Sequence, residues 1–285
     1  MSRFMNNVKT AMLLAGLMAL FIYIGSFWGQ NGMIMALIMG GMMNVIAYFF
    51  SDKIALATMG AKEVSEQNAP ELVGMVRSLA QRAVLPMPRV YIAPTDVPNA
   101  FATGRNPKHA VVCVTAGIMK ILDRNELEGV VGHELSHIKH YDMLISTVAA
   151  TIAGAISMLP YMLRFVPIGG RDGEGRNPFA GLLMIIIAPI VAAIIQMAIS
   201  RKREYNADNG GAELAGNPYS LATALEKLDR YNKRMPMPLP NPAQANLFIV
   251  EPFLGGGLSA LFSTHPKTEK RVQALIGRPS TGLVR

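Results

Sequence analysis

Apolar residues in this chain fall into long uncharged blocks separated by mixed stretches. No Asp, Glu, Lys or Arg stands between Lys9 and Asp52. That interval is roughly twice the ~20 helical residues needed to cross a hydrocarbon core of ~30 Å, so it predicts two spans. Gly29-Gln30-Asn31-Gly32, near its middle, is a turn signal. The expected spans are Thr10–Trp28 and Met33–Phe50. A secretory signal peptide would show an apolar region of only about 7–15 residues, and no clear small-residue cleavage site precedes the second span. Two further uncharged blocks, Met143–Leu163 and Asn177–Ser200, are each long enough to cross. Ser146, Thr147, Thr151, Ser157 and Pro160 make the first of these the weaker span. The alternative for this pair is two buried core helices, and length decides for four spans.

Between the blocks the pattern changes period. Val64 to Ala83 carries apolar residues at helical spacing, with Pro70 in a first turn. Arg89–Ala93 and Ala110–Thr115 are β-rich runs that predict short strands. Asn99-Ala100-Phe101-Ala102 lies between them as a third strand or an extended loop. Asp123 to Glu126 marks a helix start, with only a weak capping-box signal at Glu126, and the helix runs on toward Met143. Past the last block, Arg201–Leu214 continues as helix and Thr268–Ile276 forms a short charged one. The proline-rich stretch Met235–Pro242 is a loop, because it suits neither regular helix nor central strand. Gly255-Gly256-Gly257 is a flexible point.

Composition agrees with the blocks. Only 16% of the 285 residues are charged, against roughly 25% in an ordinary soluble domain. A hydrophobic share of 51% excludes a disordered chain, and a single Cys excludes a disulfide scaffold. Four spans place both termini and segment 51–143 on one side. All of the 27 Lys and Arg except Arg164, Arg171 and Arg176 then fall on that side, which the positive-inside bias makes the cytoplasm. The net charge of +8 therefore calls for no nucleic acid; it suits a soluble portion lying against anionic lipid. A lone Cys113 fits a reducing compartment.

The chemistry centres on His133-Glu134-Leu135-Ser136-His137. The i, i+4 spacing puts both imidazoles on one face of a helix, one turn apart, where they suit a Zn²⁺ at about 2.0–2.1 Å. Glu134 beside them is placed to take a proton from water at the metal. Composition alone predicts about 0.004 copies of this motif, which argues against two merely solvated histidines. A catalytic zinc takes three protein ligands. His140 lies about 10 Å along the helix from His133, out of reach of a shared ion. The metzincin pattern needs Gly and His where this chain has His140 and Met143, so that class is excluded. His109 reads as a solvated residue of a basic loop. Topology offers Glu204: an antiparallel pair of spans returns it to the height of His137, each about 6–9 Å beyond its span. Asp208, one turn on, suits a hydrogen-bond partner for a ligating His. Asp142 and Glu213 remain alternatives. His265, in a loop before Pro266, is either a donor to the developing oxyanion or part of a helix start.

At these residues the chain resembles the HtpX-type membrane zinc endopeptidases, relatives of the CAAX prenyl endopeptidases within the gluzincins. The resemblance rests on Asn99-Ala-Phe-Ala-Thr-Gly104, His133-Glu-Leu-Ser-His-Ile138 with Asp142, Ser200–Asp208, Phe262-Ser-Thr-His-Pro266 and the N-terminal hairpin, in the family's order. It covers essentially the whole chain. It implies an α-helical membrane protein with four transmembrane helices and a cytoplasmic mixed α/β zincin-type catalytic domain. It implies His133, His137 and Glu204 as ligands of one Zn²⁺ per chain, with Glu134 as catalytic base. Asn99, Ala100, Phe101 and Ala102 resemble a substrate-aligning edge strand that would bind an extended peptide by β-augmentation. His265 moves toward a transition-state role. The implied task is quality control of unfolded or damaged membrane proteins in a bacterial inner membrane. The expected organisation is a membrane hairpin (1–51), a catalytic portion with the motif helix (52–142), a second hairpin (143–200) and a C-terminal portion with the third ligand (201–285). A transporter is disfavoured because the spans hold no ionisable residue. A non-catalytic zinc-dependent adaptor or chaperone is disfavoured by the intact Glu134.

Overall fold

The computed structural model describes residues 2–26, 29–149, 151–152, 201–234, 248–250 and 265–277. Helices α1 (Ser2–Ser26) and α2 (Gly29–Thr58) form an antiparallel hairpin. Asn44 Nδ2 donates to the Leu14 carbonyl at 3.0 Å, and the face of Gly40 lies against Met18 and Phe21. Phe4–Tyr23 and Gly29–Thr58 are long and apolar enough to cross a membrane. Large apolar side chains such as Met35, Ile38, Met42 and Phe49 are exposed on α2, a surface that suits lipid better than water. The expected turn at 29–32 falls inside α2, which starts at Gly29 with φ +70°. Of the second expected hairpin, 143–149 is helical, and Asn177–Ser200 lies outside the described residues.

Four strands form one sheet in the order β1-β2-β4-β3: β1 (Lys62–Val64), β2 (Arg89–Ala93), β3 (Ala100–Thr103) and β4 (Val111–Thr115). β2 and β4 run parallel; β1 and β3 run antiparallel to them at the two edges. β1 corrects the expectation of helix from Val64. It is a short polar edge strand with no apolar alternation, held by backbone pairing with β2, and helix α3 (Pro70–Arg82) begins only at the proline. Asn99-Ala100-Phe101-Ala102 resolves into edge strand β3 with Asn99 at its start. Asn99 O accepts from Thr115 N at 2.9 Å. The backbone groups of Ala100 and Ala102 therefore point off the free edge.

Every residue of β4 is buried, and the two faces of the sheet explain why. Val112 and Val114 enter the main core with Val76, Leu79, Val130, Leu135 and Leu225. Val111 and Cys113, on the opposite face, meet Ala55 and Leu56 at the end of α2. The membrane hairpin thus continues into the fold and covers one face of the sheet.

Helix α4 (Ala116–Ile121) follows β4, and α5 (Arg124–Lys139) carries the motif. The capping box at α5 is complete: Asp123 accepts from Glu126 N at 3.0 Å, and Glu126 accepts from Asp123 N at 2.9 Å. α5 does not run on to Met143. Tyr141 takes φ +60° and Asp142 N reaches back to the His137 carbonyl at 3.0 Å, which ends the helix and reverses the chain. Helices α6 (Arg201–Ala215) and α7 (Pro218–Arg234) pack against α5, and α8 (Thr268–Ile276) packs against α6 and α7.

Candidate metal centre

α5 and α6 cross at a glycine contact. A Cβ on Gly211 of α6 would stand 2.6 Å from His133 N and 2.8 Å from His133 Cα, and one on Gly132 would meet the Gly211 carbonyl at 2.9 Å. No other residue type lets the two backbones come so near. This close approach brings Glu204, in the first turn of α6, over the motif face of α5.

His133 Nε2 and His137 Nε2 lie 3.2 Å apart. Glu204 Oε2 is 3.9 Å from the first and Oε1 is 3.7 Å from the second. One donor atom from each residue lies within 4.8 Å of the others. Around a tetrahedral ion with bonds of about 2.0–2.1 Å, donor atoms sit about 3.3–3.4 Å apart, so this set fits zinc in size and in chemistry. His133 and Glu204 are buried and His137 is mostly so.

Glu134 faces the same cleft, where its Oε2 accepts from Ala102 N of β3 at 2.8 Å. The edge strand therefore orients the carboxylate predicted to act as base. His265 Nδ1 is 2.7 Å from Glu204 Oε2, while its Nε2 is buried at the cleft without a protein partner. Phe101, Phe248 and Ile249 line the apolar side, and Ile249 N donates to Asn99 Oδ1 at 3.2 Å.

Each histidine is backed by a carboxylate. Asp208 Oδ1 stands 2.9 Å from His133 Nδ1. Arg271 of α8 grips Asp208 through two bonds, Nε to Oδ2 at 2.9 Å and Nη2 to Oδ1 at 2.6 Å, and its Nη1 donates to the Ile249 carbonyl at 2.6 Å. Asp142 Oδ2 stands 3.3 Å from His137 Nδ1. On a straight helix Asp142 would point away from His137; the reversal at Tyr141 turns it back. Its Oδ1 accepts from Asn6 Nδ2 of α1 at 2.7 Å and lies 3.5 Å from Arg203 Nη1.

These contacts shift the ionisation of the site. Burial raises the Glu204 carboxyl, but the neighbouring His265, His137 and His133 hold it well below the usual range. Burial likewise opposes charge on Asp208, and the Arg271 guanidinium with His133 brings it down to about 2. Burial would lower His137, but the hydrogen bond it donates to Asp142 and the charges of Glu204 and Glu134 carry it up to about 9. The donor set itself, two imidazoles and the Glu204 carboxylate, suits a metal cation.

Of the residues singled out from sequence, His133, Glu134, His137, Glu204, Asp208 and His265 converge, with Ala102 and Phe101 on the cleft wall. Glu213 is exposed and His109 bonds its neighbour Asn106, both away from the cluster. His140 caps α5 and contacts the Ser136 carbonyl at 2.8 Å. The supports Arg271, Asn6 and Arg203 were not foreseen. Nothing in their local sequence marks them; of the carboxylates behind the histidines, Asp208 is expected in that role and Asp142 only as an alternative ligand.

The family model described as Peptidase family M48 matches residues 66–278. A protease HtpX homolog of Burkholderia ambifaria (strain MC40-6) is 53% identical over 282 residues, covering 97% of this chain and 98% of the relative. The protease HtpX homolog of Methylibium petroleiphilum is 52% identical over 274 residues, covering 95% and 97%. Among solved structures, the crystal structure of S. mikatae Ste24p superposes with a TM-score of 0.52 at 16% identity. That match covers 96% of this chain and spans 66% of the Ste24p chain, and it shows a shared fold.

Proposed function

The chain belongs to peptidase family M48 and is a membrane metalloprotease, and on that premise we propose that it is a zinc endopeptidase that cleaves misfolded or damaged membrane proteins on the cytoplasmic side of a bacterial inner membrane. The observation that carries this reading is the convergence of His133, His137 and Glu204 in one cleft with Glu134.

His133, His137 and Glu204 would hold one zinc ion per chain. When bound, zinc supplies Lewis acidity that makes water a nucleophile near neutral pH and polarises the scissile carbonyl. Glu134 takes the proton from the attacking water and passes it to the leaving amine. His265 offers its free Nε2 to the charge developing on the carbonyl oxygen. Asp208 and Asp142 hold the Nδ1 sides of the two histidines, which keeps each Nε2 directed at the metal position. An extended peptide would lie along β3 and pair with the outward backbone groups of Ala100 and Ala102, displacing Glu134 from Ala102 N. Multi-pass insertion with cytoplasmic termini fits α1, which starts at the level where α2 enters the sheet, and fits the charge distribution.

The test is zinc content and casein cleavage of detergent-purified protein, wild type beside Glu134→Gln, with zinc added back after chelation. The expected result is one zinc per chain in both and cleavage only in wild type, with a loss of about 10²–10⁴-fold or more in the variant. Cleavage by purified Glu134→Gln would refute the mechanism. Zinc in both and cleavage in neither would favour the adaptor reading. No zinc in either would overturn the site.

A further inference from the structure

We propose that Asn6, near the start of the first membrane helix, is a positioning residue of the metal centre, acting through Asp142 on His137. This rests on the reading of His133, His137 and Glu204 as metal ligands. Asn6 is only 5% exposed. Its Nδ2 donates to Asp142 Oδ1 at 2.7 Å and to the Tyr141 carbonyl at 3.2 Å, while its Oδ1 accepts from Arg203 Nη1 at 3.1 Å. Two acceptors on one side and a donor on the other fix which way the amide points; the flipped amide would set oxygen against oxygen.

The consequence falls on Asp142. Its Oδ1 is occupied by Asn6 and faces Arg203, so Oδ2 is the atom left for His137 Nδ1, 3.3 Å away. A carboxylate at Nδ1 sets the tautomer and ring orientation of a ligating histidine. Asp142 follows a sharp reversal at Tyr141 and belongs to no helix, so local backbone does not hold its side chain. Asn6 grips both sides of that reversal, the Tyr141 carbonyl and the Asp142 carboxylate. The same helix anchors Asn6 in turn, since Thr10 Oγ1 donates to the Asn6 carbonyl at 2.9 Å. Apolar packing alone would dock α1. A buried amide is tolerated only when its partners satisfy it, and here those partners lead to the metal site. The membrane hairpin is thus part of the centre as well as an anchor.

The test uses full-length protein in detergent: wild type, Asn6→Ala, the nearly isosteric Asn6→Asp, Leu13→Ala and His133→Ala. Zinc affinity is read by chelator competition, and peptide cleavage by kcat and KM at limiting and saturating zinc. Removing a partner behind a ligand typically costs 10–100-fold in metal affinity, so Asn6→Ala and Asn6→Asp should each weaken zinc by roughly tenfold. Cleavage should fall at limiting zinc and recover at saturating zinc, with KM unchanged. Leu13 is buried in the same helix at 7% exposure but outside the network, so Leu13→Ala should bind zinc as wild type does. In an Asp142→Asn background, Asn6→Ala should add little further loss. Wild-type zinc affinity in both Asn6 variants overturns the proposal. So does equal weakening by Leu13→Ala, or a full additive loss in the Asp142→Asn background. If His133→Ala loses zinc while the Asn6 variants keep it, only the role of Asn6 fails. If wild type binds no zinc, the metal reading fails and this inference with it.

Discussion

The two histidines of the motif stand one turn apart on one helix, yet opposite ends of the chain support them. His133 is backed by Asp208 and then by Arg271 of the C-terminal helix, an ion pair whose members are each 1% exposed. His137 is backed by Asp142, which is held by Asn6 of the first membrane helix and by Arg203. The first support is buried, charged and short. The second is longer, lies beside the membrane hairpin and combines a neutral amide with the more distant Arg203 guanidinium. The first is therefore bound up with the folding of the domain, because a buried charge left without its partner is costly. The second is bound up with docking of the hairpin and can be weakened without unfolding the core.

The sharpest way to break this contrast is Arg271→Ala. It leaves Asp208 buried and unpaired, and loss of one partner from a buried pair costs about 3–5 kcal/mol. The expected outcome is a large drop in denaturant stability; Asn6→Ala should lose far less in the same measurement.

Next in size, Asp208→Asn and Asp142→Asn should each weaken zinc by about 10–100-fold in chelator competition. Asp208→Asn should also lower stability, since it strands Arg271, and Asp142→Asn should not to the same degree. Equal stability losses would erase the distinction.

Acid gives a third, smaller discrimination. The Asp208 carboxyl sits at about 2 in the fold, against about 3.9 when unfolded. A lowered folded-state value means that its stabilisation is complete above about pH 4 and is lost as pH falls toward 2. Chemical denaturation across pH 4 to 2 should show this loss in wild type and a flatter profile in Asp208→Asn.

The finest probe is Cys113 in β4. Burial pushes its thiol up to about 12, and it is fully enclosed. A maleimide should label it slowly in wild type and in Asn6→Ala, and faster in Arg271→Ala, where the core opens more often. Rapid labelling of Asn6→Ala would mean that the hairpin, which covers that face of the sheet, is held mainly through Asn6.

Much of this molecule is legible in its sequence. The uncharged block from Thr10 to Ser51 predicts the N-terminal pair of long apolar helices, because it is about twice the ~20 residues that a span needs. Residues four apart on a helix share a face, so the approach of His133 to His137 follows from their spacing. Polar edge strand β1 had no such periodicity to betray it. The end of α5 is not legible in this way, because Tyr141 is not a residue that advertises a left-handed turn.

The local pattern of the chain shows which segments are apolar enough for lipid, which helix carries the paired histidines, and which carboxylate stands beside them. Those depend on residues near one another in the chain. Which distant groups support the site depends on how the helices pack. Gly132 and Gly211 let two helices touch, the reversal at Tyr141 turned Asp142 back, and the packing of α8 and α1 delivered Arg271 and Asn6. The reason is physical. A buried charge or amide takes whatever partner the packed chain brings within hydrogen-bond distance, and Asn6 lies 136 positions from the carboxylate it holds.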